Sequence, residues 1–161
     1  MSLSPVSTRS PIWPFIGIAL AWTVLATQVR HHWGGESYYN FGWFVPLLAL
    51  WLLARNLTRI APAPQPRGSL LLLLGALALL PLLPFHALAE VNPFWRVPLW
   101  AQVIGCAAFS LIILYQLYGW RGVRASLFPL FFLSTMVPWP YRFEVLIVQG
   151  LTGVVVDLSV V

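Results

Sequence analysis

Apolar stretches alternate with short polar segments along the chain, and this alternation predicts helices. The predicted helices cover residues 12–29, 38–54, 69–89, 97–118, 124–137 and 144–161. A helix needs about 20 mostly apolar residues to cross a bilayer. The first, third and fourth stretches are close to that length, and the second and fifth are shorter. The pattern predicts an all-α fold, a polytopic membrane helix bundle with five to six transmembrane or interfacial helices.

Prolines mark the ends and bends of these predicted helices. Pro46 falls inside the second helix, where a membrane helix tolerates proline if its neighbours satisfy the freed carbonyl. Alternate prolines in the connector 55–68 exclude a helix there and favour a stiff, extended chain. Pro81 and Pro84 predict a kink in the second half of the third helix.

The last apolar segment carries three polar residues, Gln149, Thr152 and Asp157, which fall within one arc of a helix. That face is expected to meet protein, headgroups or water rather than lipid tails. The segment is therefore either a sixth span or an interfacial helix. If the segment is a sixth span, Asp157 pairs with an arginine or faces a cavity. If the segment is an interfacial helix, Asp157 lies in the interface.

Composition explains why these helices belong to a membrane. The 161 residues are 60% hydrophobic and only 8% charged, whereas soluble domains have roughly 25% charged residues. This balance excludes a soluble enzyme, a disordered tail and a nucleic-acid binder, and it makes the lipid bilayer the expected partner. All nine cationic residues are arginines, and on a membrane protein they set topology.

The distribution of arginine predicts the orientation. If the N-terminus is inside, six arginines fall on the inner side and three on the outer side, as the positive-inside rule requires. Residues 1–11 are then a cytoplasmic tail, and residues 12–161 form the membrane domain. All three histidines and three of the four acidic residues fall on the outer side, so the polar loops are expected to be extracytoplasmic.

The histidines offer two weak candidate sites. His31, His32 and Glu36 occupy a polar segment after the first helix, where an interfacial loop is favoured over a metal site. His86 and Glu90 are four residues apart and share a helical face. An intramembrane histidine is a functional candidate, but its position beside a loop favours a structural role. We expect no metal and no cofactor.

The single cysteine is a poor nucleophile. Cys106 lies in the middle of the fourth helix with no cation nearby in the sequence to favour its thiolate. The small residues around it, Gly105 and Ala107 among them, are typical of a close contact between membrane helices. Taken by themselves, the residues of the chain show no complete catalytic constellation.

Three stretches together resemble the exosortase/archaeosortase family. Residues 39–46, Tyr-Asn-Phe-Gly-Trp-Phe-Val-Pro, resemble the family pattern Tyr-Ser-His-Gly-x-x-x-Pro. Residues 90–96, Glu-Val-Asn-Pro-Phe-Trp-Arg, resemble a Glu-Ala-Asn-Pro-x-Trp-Arg turn. Residues 128–152 resemble a block that runs Phe-Pro, Val-Pro-Trp-Pro, Glu and Gln-Gly-Leu. Their order and spacing cover the chain from the first helix onward.

The resemblance implies a membrane-embedded cysteine transpeptidase of the plasma (inner) membrane. Such enzymes are thought to cut C-terminal sorting signals of the PEP-CTERM kind from exported proteins with a Cys, an Arg and a His on the outer face. The family nucleophile lies in an Ala-Cys-Ser-Gly stretch downstream of the three motifs, and Val161 comes before any such stretch. The resemblance therefore implies an N-terminal portion that has no catalytic residues and is inactive alone.

The family-like positions are the candidates for a substrate groove that holds a sorting peptide. Pro129, Pro138 and Pro140 are family-like too, although prolines also shape helix ends. The groove candidates are Tyr38, Tyr39, Asn40, Gly42, Pro46 and Trp139.

Two functions from other classes remain open. The chain is alternatively a non-catalytic membrane scaffold or partner subunit whose polar outer face docks another protein. A small transporter is less favoured, because Asp157 is the one candidate coupling residue and no repeat symmetry is visible.

Overall fold

The computed structural model describes residues 12–35, 37–62, 68–92 and 95–159, and every regular element in these ranges is helical. Residues 1–11, Glu36 and the middle of the proline connector lie outside them. The α-helices are α1 (Trp13–Gly35), α2 (Val45–Leu57), α3 (Ser69–Leu79), α4 (Leu82–Val91), α5 (Val97–Ser134) and α6 (Tyr141–Ser159). A 3-10 helix, Ser37–Trp43, precedes α2.

The first two helices differ from the sequence pattern because tertiary contacts override it. Helix α1 continues through residues 30–35, expected as a polar loop, since Trp33 is buried near its end. The chain then turns in the 3-10 helix, and α2 begins at Val45. Pro46 therefore stands in the first turn of α2, where the missing N–H costs nothing.

The third apolar stretch is divided at Leu80 and Pro81 into α3 and α4, near the expected kink. The fourth and fifth stretches together form α5, whose helical backbone is interrupted at Gly119 (φ 66°, ψ −158°). Trp100, near the start of α5, donates a hydrogen bond from Nε1 to the carbonyl of Pro138, just beyond its end. The arms on either side of Gly119 therefore run antiparallel.

Helix α5 forms the centre of the fold, and α1, α2, α3 and α4 all pack against it. Its buried residues include Cys106 and Leu114, which are fully enclosed together with Leu25 and Val29 of α1. Trp22 donates a hydrogen bond to Ser110 Oγ at 3.0 Å, and the Cys106 thiol donates to the Ala21 carbonyl at 3.7 Å. These polar contacts fix the register of α1 on the first arm.

Small residues bring α3 close to the first arm of α5. A Cβ added to Gly105 would lie 2.6 Å from the carbonyl oxygen of Ala78. The short distance fits the small-residue helix contact predicted around Cys106.

Two described stretches, Leu73–Val91 and Val97–Ser134, are long and apolar enough to cross a membrane by length and composition. The all-helical fold class is thus confirmed, and the number of five to six spans stays a prediction. Helix α6 differs from the rest, because the residues described in it are exposed except for the partly buried Glu144 and Val145.

Candidate functional site

The segment Met136–Pro140 links α5 to α6 at one end of the molecule. We call this end the tryptophan end, after Trp33, Trp100 and Trp139. The segment is not helical, yet Met136 is 1% exposed and Val137 is fully buried. Buried backbone groups need hydrogen-bond partners, and non-helical chain at membrane depth is tolerated where protein surrounds it. The N–H groups of Met136 and Val137 bond to the carbonyls of Leu133 and Ser134, and other groups of the segment find partners among side chains.

Aromatic side chains of three other elements supply three of them. Trp33 Nε1 donates to the Met136 carbonyl at 2.9 Å, and Trp100 Nε1 donates to the Pro138 carbonyl at 2.9 Å. The Trp139 N–H donates to the Tyr39 hydroxyl at 3.3 Å. The ring of Trp139 also meets that of Trp100 edge to face, with centroids 5.7 Å apart. The segment is thus held from α1, the 3-10 helix and α5.

Arg96 completes the arrangement as a charged centre. Its Nη1 donates to the Trp139 carbonyl at 2.9 Å and to Glu144 Oε2 at 2.5 Å. Its guanidinium also lies 6.0 Å from the centroid of the Tyr39 ring. The side chains of Arg96 and Glu144 are 16% and 33% exposed, so the pair is partly shielded from water. Arg96 therefore joins the 3-10 helix, the segment Met136–Pro140 and α6.

Gly42 allows the 3-10 helix to pack against α1. A Cβ at this position would lie 2.3 Å from Trp33 Nε1. That indole cannot move freely, because it is hydrogen-bonded to Met136 and meets Trp43 edge to face at 5.0 Å. Only a glycine leaves room for this contact.

The structure brings together some of the proposed groove residues and separates others. Tyr39, Gly42 and Trp139 belong to the cluster just described, whereas Asn40 is exposed on the same 3-10 helix. Pro46 lines a different, apolar cavity between α1, α2 and the second arm of α5. The side chain of Tyr38 lies outside those described. The substrate role of all six stays a prediction.

Sequence reasoning missed four members of this cluster: Trp33, Arg96, Trp100 and Glu144. For Arg96 and Glu144 the rarity of charged residues in the chain was a signal, because an arginine and an acid near an apolar surface are stable when they pair. Tryptophan gave no such signal, since ring anchors at helix ends are common in membrane proteins.

The candidate metal and nucleophile residues lie elsewhere. Among the described residues, no group of three His, Cys, Asp or Glu side chains could hold a metal ion; Glu36 and the His31 side chain lie outside that set. His86 Nε2 lies 3.3 Å from Glu90 Oε1 in a separate polar cleft. Cys106 is buried inside the bundle, so it is not presented to a peptide at the tryptophan end. Asp157 is exposed on α6.

The donors described in the cluster are bonded to groups of the chain itself. The cluster contains no thiol, because the single cysteine, Cys106, is buried inside the bundle.

The protein-family model described as transmembrane exosortase (Exosortase_EpsH) matches residues 33–161. No curated protein matches the chain, and no solved structure does. The matched range includes every residue of the cluster at the tryptophan end.

Proposed function

This chain belongs to the transmembrane exosortase family, and from that premise we infer that it is the substrate-binding portion of a membrane transpeptidase. In this proposal the tryptophan end faces the extracytoplasmic side of the plasma (inner) membrane. There it holds the C-terminal sorting tail, of the PEP-CTERM type, of an exported protein. No Ala-Cys-Ser-Gly stretch occurs in the 161 residues.

The convergence of the three family-like stretches carries this proposal. Tyr39 comes from the first stretch, Arg96 from the second, and Trp139 and Glu144 from the third. Arg96 contacts the side chains of Tyr39 and Glu144, and the backbone of Trp139 bonds to Arg96 and to Tyr39. Residues that are distant in sequence thus form one structure at one end of the bundle. A shared binding surface would account for the meeting of these three stretches at one end.

Exposed side chains beside the cluster are suited to contact a peptide. Phe41 is 46% exposed and Trp43 is 56% exposed, and Asn40 is exposed between Tyr39 and Phe41. Aromatic rings supply large contact area at low entropic cost, and an amide can bond to a peptide group in either direction. We assign substrate contact to this rim, and we assign its support to Tyr39, Gly42 and Trp139.

Photo-crosslinking tests this assignment. A photoreactive phenylalanine analogue replaces Trp43 at the tryptophan end or, as a matched control, Trp120, which is 58% exposed beside Gly119 at the opposite end. Cells co-express an exported reporter with a PEP-CTERM-type tail. We expect a crosslink from position 43 and none from position 120. Equal crosslinking at both positions, or none at position 43, would contradict the proposal.

The absence of catalysis by the 161 residues is tested separately. The reporter is expected to keep its full length in cells that make only this chain, because no Ala-Cys-Ser-Gly stretch occurs in it. Release of the tail in those cells would overturn this part of the proposal.

The exposure of α6 favours a second candidate, a non-catalytic partner subunit. Its apolar residues, such as Leu151 and Val155, are 63% exposed and are not covered by the bundle. A membrane protein of fixed stoichiometry that co-purifies with this chain, and is lost after Leu151→Asn, would favour this candidate over the first.

A further inference from the structure

A polar cleft of about 560 Å³ separates α1 from α4. Helix α1 contributes Gln28, Arg30 and His32 to its walls, and α4 contributes His86 and Glu90. Helix α4 packs mainly on α5. The side-chain contact between Gln28 and His86 therefore ties α4 to α1 across the cleft.

Gln28, His86 and Glu90 form a hydrogen-bonded chain. Gln28 Nε2 contacts His86 Nδ1, and His86 Nε2 lies 3.3 Å from Glu90 Oε1. If Gln28 Nε2 donates, Nδ1 of His86 must accept, and the ring must carry its proton on Nε2. This is the neutral imidazole. In that state the other amide atom of Gln28, Oε1, is buried without a hydrogen-bond partner.

A proton on His86 reverses one bond in this chain. Both ring nitrogens are then donors, so the Gln28 amide must turn over and present Oε1 to Nδ1–H. The bond between α1 and α4 becomes charge-assisted, and such bonds are roughly twice as strong as neutral ones. The same proton converts the contact with Glu90 into an ion pair. The buried Oε1 gains the donor that it lacks in the neutral state.

The titratable and charged groups that face His86 in the cleft are Glu90 of the same helix and Arg30 and His32 of α1. Glu90 is in direct contact with the imidazole, and Arg30 is exposed. Helix α5 lines the cleft with Leu99, which is not titratable.

We propose that Gln28, His86 and Glu90 form a proton-operated latch between α1 and α4. Protonation of His86 holds α4 against α1 and narrows the cleft; loss of the proton weakens the latch and lets the cleft widen. Histidine is the side chain whose charge ordinarily changes between pH 5 and 8, so the latch responds to the pH at this end of the molecule. It does not depend on the proposed peptide processing.

Distance measurement between two spin labels tests the latch in the full chain. The labels are placed on cysteines introduced at Gly34, near the end of α1, and at Val91, at the end of α4; both positions are exposed. The unmodified chain serves as the labelling control, because Cys106 is buried. We expect the distribution of distances to narrow as the pH falls from 8 to 5. A width that is the same at both pH values would overturn the proposal.

Variants identify the residue that takes up the proton. The narrowing of the distance distribution at low pH is expected to be lost in His86→Gln. It is expected to be retained in His32→Gln, which removes the other described imidazole of the cleft. Gln28→Leu, which leaves the histidine in place, is expected to lose the narrowing as well, and it keeps the test decisive if His86→Gln does not fold. The proposal fails if the narrowing persists in either His86→Gln or Gln28→Leu, or if it is lost in His32→Gln.

Discussion

At the scale of single residues, Arg96 links the most parts of the molecule. It hydrogen-bonds the Trp139 carbonyl, pairs with Glu144 and lies against the ring of Tyr39. These contacts attach α6, which is otherwise exposed, to the bundle. Hydrogen bonds to charged groups contribute about 1.5–3 kcal/mol each to stability. The attachment of α6 should therefore depend strongly on this residue.

Arg96→Ala is expected to lower the free energy of unfolding by about 2–3 kcal/mol, because it leaves Glu144 and the Trp139 carbonyl without their donor. Arg96→Lys should fall between Arg96→Ala and the native chain, because an ammonium keeps the charge but lacks the planar fork of donors. The measurement is thermal unfolding in detergent, together with protease cleavage within α6.

The matched control for this prediction is Arg142→Ala, which removes an exposed arginine from the first turn of α6. It should change stability by no more than about 0.5 kcal/mol. A similar loss in both variants would show that net charge, rather than the contacts of Arg96, holds α6.

Gly42 is a second residue with a specific steric role. In Gly42→Ala the new Cβ would overlap the Trp33 indole, which would lose its bond to the Met136 carbonyl. Overpacking of this kind typically costs about 1–3 kcal/mol. Tryptophan fluorescence and thermal unfolding report the change. Gly34→Ala is the control, since nothing lies within 4 Å of an added Cβ there; an equal loss in that variant would contradict the prediction.

At the scale of elements, Gly119 reverses α5 between its two arms. Its φ of 66° with ψ of −158° belongs to a region of backbone conformation that essentially only glycine adopts. Gly119→Ala is expected to destabilise the chain by about 1–3 kcal/mol, the usual cost of such a strained residue. The readout is a lower thermal midpoint with helix content retained at low temperature.

Gly153→Ala is the control for Gly119→Ala, because Gly153 lies inside α6 with open space around it. It should not destabilise the chain. If Gly119→Ala is equally harmless, the reversal between the two arms does not depend on the conformation of this glycine.

The sequence pattern predicted helices well where the chain has long apolar runs. The apolar runs of α3 and of both arms of α5 are continuous, and their breaks coincide with Pro81 and Gly119. It failed at residues 30–44, where the apolar period is weak. There α1 extends because Trp33 is anchored on Met136, and the 3-10 helix forms because Gly42 fits against that indole. Contacts across some 100 residues cannot be seen in a local pattern.

The candidate site was predictable only in part, for the same reason. Motif resemblance identified Tyr39, Gly42 and Trp139, which the fold brings into one cluster. It did not show which residues hold them, since the order and spacing of the family-like stretches do not indicate that Arg96 pairs with Glu144 or that Trp100 bonds to Pro138. Pro46 matched the motif equally well but lies in a different cavity. The spacing of the motif residues along the chain does not show which of them join the cluster and which lie in another cavity.

At the scale of the whole molecule, the two ends of the bundle should lie on opposite sides of the membrane. Asn40 is exposed at the tryptophan end, and Arg59 is exposed just after α2, at the other end. If the N-terminus is cytoplasmic, an impermeant thiol reagent should label Asn40→Cys in intact cells. Arg59→Cys should react only after the membrane is permeabilised.

The native chain is the control for this labelling, because its single cysteine is buried. Labelling of Arg59→Cys but not of Asn40→Cys in intact cells would reverse the proposed orientation. Labelling of both would show that the two ends are not separated by a bilayer.

The ion pair between Arg96 and Glu144 also has an evolutionary consequence. Loss of one partner leaves a partly buried charge uncompensated, whereas loss of both removes the charges together. Among related chains, a neutral residue at position 96 should therefore occur together with a neutral residue at position 144. Position 142, two residues before 144 and exposed, should vary independently of both. The bond that fastens α6 to the bundle thus predicts which pair of positions changes together as the family diverges.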